Sequence, residues 1–225
     1  MIWGACELMA VVDFETTGMG PAHGARATEV AVVWVQGDQI VDQHAELMHS
    51  GVPIPPFIQR LTGITERMLA SANPSATVMR TLAERHPPCP LIAHNASFDA
   101  AFWRDEMLRA DSEQCTAHAE PPRLCTVKLA RRLYPQAPNH KLGTLAQFHE
   151  LPHQGRAHRA LADALTTAHL WLQMRRDIQH HLAEPLSGAP ITFALADRLQ
   201  ALPFAQWPKA ARAYRKALME SKALF

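Results

Sequence analysis

Residues 8–18 read LMAVVDFETTG, an apolar run that ends in two acids separated by one residue. A continuous apolar stretch closed by charge suits a central β-strand covered on both faces. Along a strand, residues i and i+2 point to the same side, so Asp13 and Glu15 project together. Two adjacent carboxylates at the end of such a strand repel each other and are costly to desolvate. A hard divalent cation would offset both effects. Alone the D-x-E pattern is weak, because an Asp that opens a turn and a solvated Glu produce it more often than a metal site does.

Two β-rich stretches follow, 27–36 (ATEVAVVWVQ) and 39–48, with Gly37-Asp38 between them. That dipeptide is a two-residue hairpin signal, so the first three strands are predicted to form an antiparallel meander. Pro53, Pro55 and Pro56 break the pattern, and short helices are expected over LTGITERML and SATVMRTLAERH. Residues 90–93 (PLIA) read as a short buried strand, and another is expected near 123–126. Helices are predicted at 97–110, with Ser97 as N-cap, and at 127–134, 142–150 and 159–175. The last carries Leu161, Leu165, Ala168 and Leu172 as an apolar stripe. The remainder is helical and more basic, punctuated by Pro185, Pro190, Pro203 and Pro208. Three strands and then alternating helices and strands describe an α/β fold, a mixed five-stranded sheet flanked by helices. The expected division is a domain over 1–176 and a helical C-terminal extension over 177–225.

Composition narrows the function classes. The chain has 225 residues, 48% hydrophobic and 19% charged, which excludes wholesale disorder. A formal charge of +1 does not suit a protein that wraps long duplex DNA, whose affinity comes from neutralised phosphates. Any nucleic-acid contact is therefore expected to be short and local. Cys6, Cys89, Cys115 and Cys125 show no C-x-x-C spacing, which argues against structural zinc or a disulfide scaffold and fits the cytoplasm. The first residues are apolar but lack a basic n-region, and they read as a strand rather than a signal peptide. No run is long enough for a membrane span.

Two further constellations hold acids. His94-Asn95-Ala96-Ser97-Phe98-Asp99 places Asp99 in the first turn of a helix just after a buried strand. An acid there is favoured by the helix dipole alone, so by itself it proves little. His158-Arg159-Ala160-Leu161-Ala162-Asp163 opens the late helix. Residues five apart on a helix lie about 140° out of register and cannot share one target. If both serve one site, His158 must precede the helix while Asp163 projects from its second turn.

The conjunction of D-x-E-T-T-G, H-N-x-x-F-D and H-x-x-x-x-D, in that order, resembles the DEDDh (DnaQ-like) family of 3′→5′ exonucleases. LTGIT at 61–65, KLARRLYP at 128–135 and HRALADALTTAHLW at 158–171 extend the likeness toward the branch of the DNA polymerase III epsilon subunit. The resemblance covers roughly residues 8–175 and implies an RNase H-like fold. It implies that Asp13, Glu15, Asp99 and Asp163 hold two divalent cations, Mg2+ or Mn2+, and that His158 deprotonates the attacking water. Asp13 would bridge the ions, Glu15 and Asp163 would complete the nucleophile-side site, and Asp99 would act largely through ordered water. By the same likeness Thr16 and Thr17 would hold the terminal 3′-hydroxyl, Leu61 would wedge beside the last base, and Phe98 would stack near it. Asn95 joins this substrate-binding group, whereas His94 reads as a structural hydrogen-bonder. The implied substrate is the 3′ end of single-stranded DNA, with nucleoside 5′-monophosphates as product. RNA ends are the alternative, and a DNA polymerase subunit is a possible partner.

Overall fold

The computed structural model describes residues 7–152 and 158–222. β1 (Leu8–Thr16), β2 (Ala27–Gln36) and β3 (Gln39–His49) form the expected antiparallel meander. Gly37 has φ 58°, a left-handed conformation that the tight turn requires and that glycine adopts without a Cβ clash. α1 (Pro56–Thr62) lies mostly ahead of LTGITERML and α2 (Glu66–Ala70) covers its end, the two separated where Gly63 turns left-handed at φ 77°. A two-residue strand, β4 (Asn73–Pro74), then pairs with the end of β3 and leads into α3 (Ser75–Arg85).

β5 (Leu91–Ala93) runs parallel to β1, and β6 (Arg123–Cys125) runs parallel to β5. Between them lie α4 (Ala96–Arg109) and α5 (Glu113–His118). The strand order is β4-β3-β2-β1-β5-β6. Among the described residues the sheet therefore has six strands rather than five. The addition is β4, too short and too proline-bound to show a period of two. α5 was also not foreseen, since six residues give no helical periodicity to read.

Alternation along β1 sorts the core. Met9 and Val11 face one layer with Val33, Ile92 and Leu124, and Ala10, Val12 and Phe14 face the other with Val32 and Leu91. The second layer is closed by α3, α4 and α5. The first is closed by α6 (Thr126–Leu133), α7 (Leu142–Phe148) and α8 (Ala160–His181). α8 buries Ala160, Ala164, Ala168, Trp171 and Ile178, while Leu161 and Leu165 of the expected stripe are only partly buried. Small alanines let this helix approach the sheet closely, and neighbouring helices bury its other sides. The expected stripe therefore holds at Ala168 and Leu172 and not at Leu161 and Leu165.

α8 passes through the boundary expected at 176. Beyond it, α9 (Ala183–Leu186), α10 (Phe193–Ala201) and α11 (Trp207–Lys222) place Leu195, Leu199 and Trp207 in the same hydrophobic cluster as Met9 and Val11. Polar contacts reinforce this packing. The Gln200 side chain accepts from the Cys125 amide at 2.9 Å and donates to the Arg123 carbonyl at 3.1 Å, covering the free edge of β6. Glu7 accepts from the Phe193 amide at 2.8 Å. Cys89, Cys115 and Cys125 are free thiols. Among the described residues, no helix is long and apolar enough to cross a membrane.

Candidate active site

The site assembles at the carboxyl end of β1. Asp13 and Glu15 share the alternation of Met9 and Val11, so they project toward the α8 side of the sheet. Just past them the register with β2 shifts, with Glu15 opposite Glu29 and Thr16 opposite Ala27. This leaves Thr28 as the extra residue of a β-bulge, which bends the strand pair beside the acids.

Asp99 arrives from α4 and is buried, with 3% exposure. The chain leaves β5 through His94, whose Nδ1 meets Thr126 Oγ1 and whose Nε2 meets the His140 carbonyl, each at 2.9 Å. His94 is thus structural, as its sequence context suggested. Asn95, not Ser97, caps α4. It is left-handed at φ 79°, which Asn tolerates better than most residues, and the helix starts one residue earlier than expected. That turn brings the Asp99 carboxylate onto its own amide and that of Phe14.

Asp163 and His158 come from the start of α8. His158 lies outside the helix, as the five-residue spacing requires, with φ 62°. Its amide donates to Asp163 Oδ2 at 3.1 Å. Asp163 sits in the first helical turn rather than the second, because α8 begins at Ala160. Ligand atoms of Glu15, His158 and Asp163 all lie within 4.8 Å of one another.

Burial and mutual repulsion dominate the electrostatics. The Asp13 carboxyl is held well above the usual range by burial, and then by Asp99, Asp163, Glu15 and Glu29. Burial, Asp163 and Glu29 push Glu15 up to about 7, against the opposing pull of Arg159. Burial pushes Asp99 up to about 7, although the two amides resist this. Hard oxygen donors whose summed negative charge neighbouring side chains do not offset are the donor chemistry of a divalent-cation site.

Glu29 was not singled out from sequence. It stands directly opposite Glu15 on the antiparallel pair, where like charges destabilise a sheet. Arg159 compensates through a forked pair, with its NH2 group 2.6 Å from Oε1 and Nε 3.0 Å from Oε2. The Ala160 amide adds a third donor at 3.0 Å, so Glu29 ties the start of α8 to the sheet. A lone acid inside the apolar stretch ATEVAVVWV was the available signal, since a buried carboxylate needs a partner.

The remaining expected residues surround this centre unevenly. Thr16 and Thr17 are buried at the end of β1. The Thr16 hydroxyl donates to the Gly18 carbonyl at 2.7 Å, and that of Thr17 accepts from the Arg26 amide at 2.9 Å. The Thr17 amide donates to the Arg26 carbonyl. Leu61 on α1 is 46% exposed and so is not core. Phe98 is half-buried, with its ring 5.0 Å from that of Phe102.

Comparison with known proteins places this geometry. Residues 10–171 match the RNase_T family, described as exonuclease. The 3′-5′ exonuclease DinG of Staphylococcus epidermidis is 33% identical over 165 residues, 73% of this chain and 18% of that protein. The PolC-type DNA polymerase III of Bacillus subtilis is 34% identical over 183 residues, 78% of this chain and 12% of that protein. The chain thus spans less than a fifth of the length of either relative. Among solved structures, exonuclease X in complex with 5′ overhanging duplex DNA superposes with a TM-score of 0.58 at 28% identity. That match covers 75% of this chain and 91% of the other.

Proposed function

The chain belongs to the exonuclease family, and from that premise we propose that it removes nucleotides one at a time from the 3′ end of single-stranded DNA. The observation that carries this reading is the meeting of Asp13, Glu15, Asp99 and Asp163, from three separate elements, beside His158. The four carboxylates would hold two divalent cations, Mg2+ or Mn2+. Bound there, the cations would offset the carboxylate charge, acidify water and stabilise the negative charge of the transition state.

His158 is the general base. Its exposed imidazole sits at the rim of the acid cluster, and a ring nitrogen takes the proton of the attacking water. The water oxygen bonds to phosphorus and the bond to the 3′-oxygen breaks, releasing a nucleoside 5′-monophosphate and a shortened strand with a free 3′-hydroxyl. Asp163 holds the His158 amide, and the Glu29–Arg159 clamp holds the helix that carries Asp163. Leu61 offers a ribose 2′-hydroxyl no hydrogen bond, which favours a modest preference for DNA over RNA. The likeness to a PolC-type DNA polymerase III supports a DNA polymerase as the partner class.

The test is digestion of matched 5′-labelled single-stranded DNA and RNA with Mg2+ or Mn2+. Stepwise shortening of DNA from the 3′ end, with release of 5′-monophosphates, is expected. A tenfold or greater preference for ribose would turn the assignment to RNA trimming.

A further inference from the structure

The net charge of +1 conceals a local concentration of positive charge. An open groove of roughly 530 Å³ is lined by Arg123, Lys128 and Arg131, and by the start of α4 at Asn95 and Ser97. All three basic residues are exposed, and among the described residues none of their side chains has an ion-pair or hydrogen-bond partner. Elsewhere many arginines are engaged, as Arg26 is with Glu106, Arg85 with Asp42, and Arg159 with Glu29. Among the described residues the one acid in the groove wall is Asp197 of α10, and it is already bonded to Gln200 at 2.7 Å. Three cations against one acid leave this groove strongly positive.

Its place in the fold gives the charge a purpose. β1, β5 and β6 run parallel, so their carboxyl ends open on one side of the sheet. Asp13 and Glu15 lie at that end of β1. The groove runs along β6, from Pro121, Pro122 and Arg123 at its start to Cys125 at its end, and reaches past the carboxyl end of β5 to Asn95 and Ser97. Ser97, in its wall, shares the first turn of α4 with Asp99. Pro121 and Pro122 form a stiff lip, and α10 supplies the opposite wall.

We propose that Arg123, Lys128 and Arg131 grip the phosphates of a single strand immediately 5′ of the nucleotide being removed. This rests on the nuclease reading above and adds to it how the enzyme recognises a polynucleotide rather than a lone phosphodiester. It also gives the C-terminal helices a role, because α10 completes the groove. Ion pairing with phosphates does not depend on base or sugar, so the grip is indifferent to sequence.

The test compares the wild type with the R123A/K128A/R131A variant on two substrates. One is an aryl ester of thymidine 5′-monophosphate, which fills only the scissile position, and the other is a single strand of about twelve nucleotides. The ester rate is expected to stay unchanged, while kcat/KM on the strand falls about 10–100-fold, mostly through KM. The slope of log kcat/KM against log salt should flatten by about 2, three contacts at roughly 0.7 each for single strands. Wild-type kcat/KM and salt slope in the variant would overturn the proposal, and so would an equal loss on both substrates. Fluorescence anisotropy of the labelled strand in EDTA reads the grip without turnover, and unchanged affinity there would also overturn it. If the wild type binds the strand through these residues but cleaves neither substrate, the nuclease reading fails and the groove stands.

Discussion

Replacing Glu15 by Gln should stabilise the metal-free protein at neutral and alkaline pH. Folding buries Glu15 among Asp163, Glu29 and Asp99 and raises its carboxyl from 4.5 to about 7. A carboxyl whose pKa rises on folding binds its proton more tightly in the native state. Its ionisation therefore costs the fold nothing below about pH 4.5 and the full amount above about pH 7. At about 1.4 kcal/mol per pH unit, this rise sets a ceiling of roughly 3.4 kcal/mol. Glu15 is partly reached by solvent and shares the charge of its neighbours, which brings the expected gain of Glu15→Gln to about 2 kcal/mol. For a chain of this size that corresponds to a rise in Tm of about 4–8 °C. Thermal unfolding in EDTA near pH 8 should show the full rise, and near pH 4 it should vanish, because wild-type Glu15 is then protonated. Added Mg2+ should narrow the gap at alkaline pH, since only the wild type keeps the complete donor set. A variant less stable than the wild type at alkaline pH would refute the reasoning. Attraction to Arg159 would then outweigh burial and the repulsion of three acids.

Other perturbations read different parts of the site. His158→Ala should lower kcat by roughly 10²–10⁴-fold with a much smaller change in KM. A wild-type rate in steady-state assays would make His158 structural. Arg159→Ala leaves Glu29 buried opposite Glu15 with only the Ala160 amide as partner. Since Arg159 is 40% exposed, the expected loss is about 2–3 kcal/mol rather than the full cost of splitting a buried pair, measured by urea unfolding in EDTA. Double substitution with Glu29→Gln should recover part of it, and no recovery would exclude the clamp. Truncation after Arg176 removes Ile178, Leu195, Leu199 and Trp207 from the core and Gln200 from the edge of β6. The product should be insoluble or unfold at much lower temperature, as circular dichroism of the soluble fraction would report. A stable, active fragment would mean that residues 7–176 fold alone.

The parts of this protein legible in the sequence are those encoded by local periodicity. Alternation in LMAVVDFETTG puts Asp13 and Glu15 on one side of a buried strand, and Gly37-Asp38 sets the hairpin between β2 and β3. If His158 and Asp163 serve one site, their five-residue spacing requires one to precede the helix that carries the other, and the chain folds that way. Each statement needs only backbone geometry over a few residues. What the tertiary structure alone decided depends on partners distant in the chain. Glu29 faces Glu15 because of the register of two strands, and Arg159 answers it from 130 residues away. Asn95 takes the left-handed turn that starts α4 because β5 must hand Asp99 back toward β1. The inner face of α8 is lined mostly by alanines because it lies close against the sheet, so that of the expected stripe Ala168 and Leu172 are buried while Leu161 and Leu165 are only partly so. Gln200 closes the edge of β6 only because α10 packs beside it. Local rules specify which way a side chain points. Register, burial and charge compensation, all set by the packed whole, specify what it meets there.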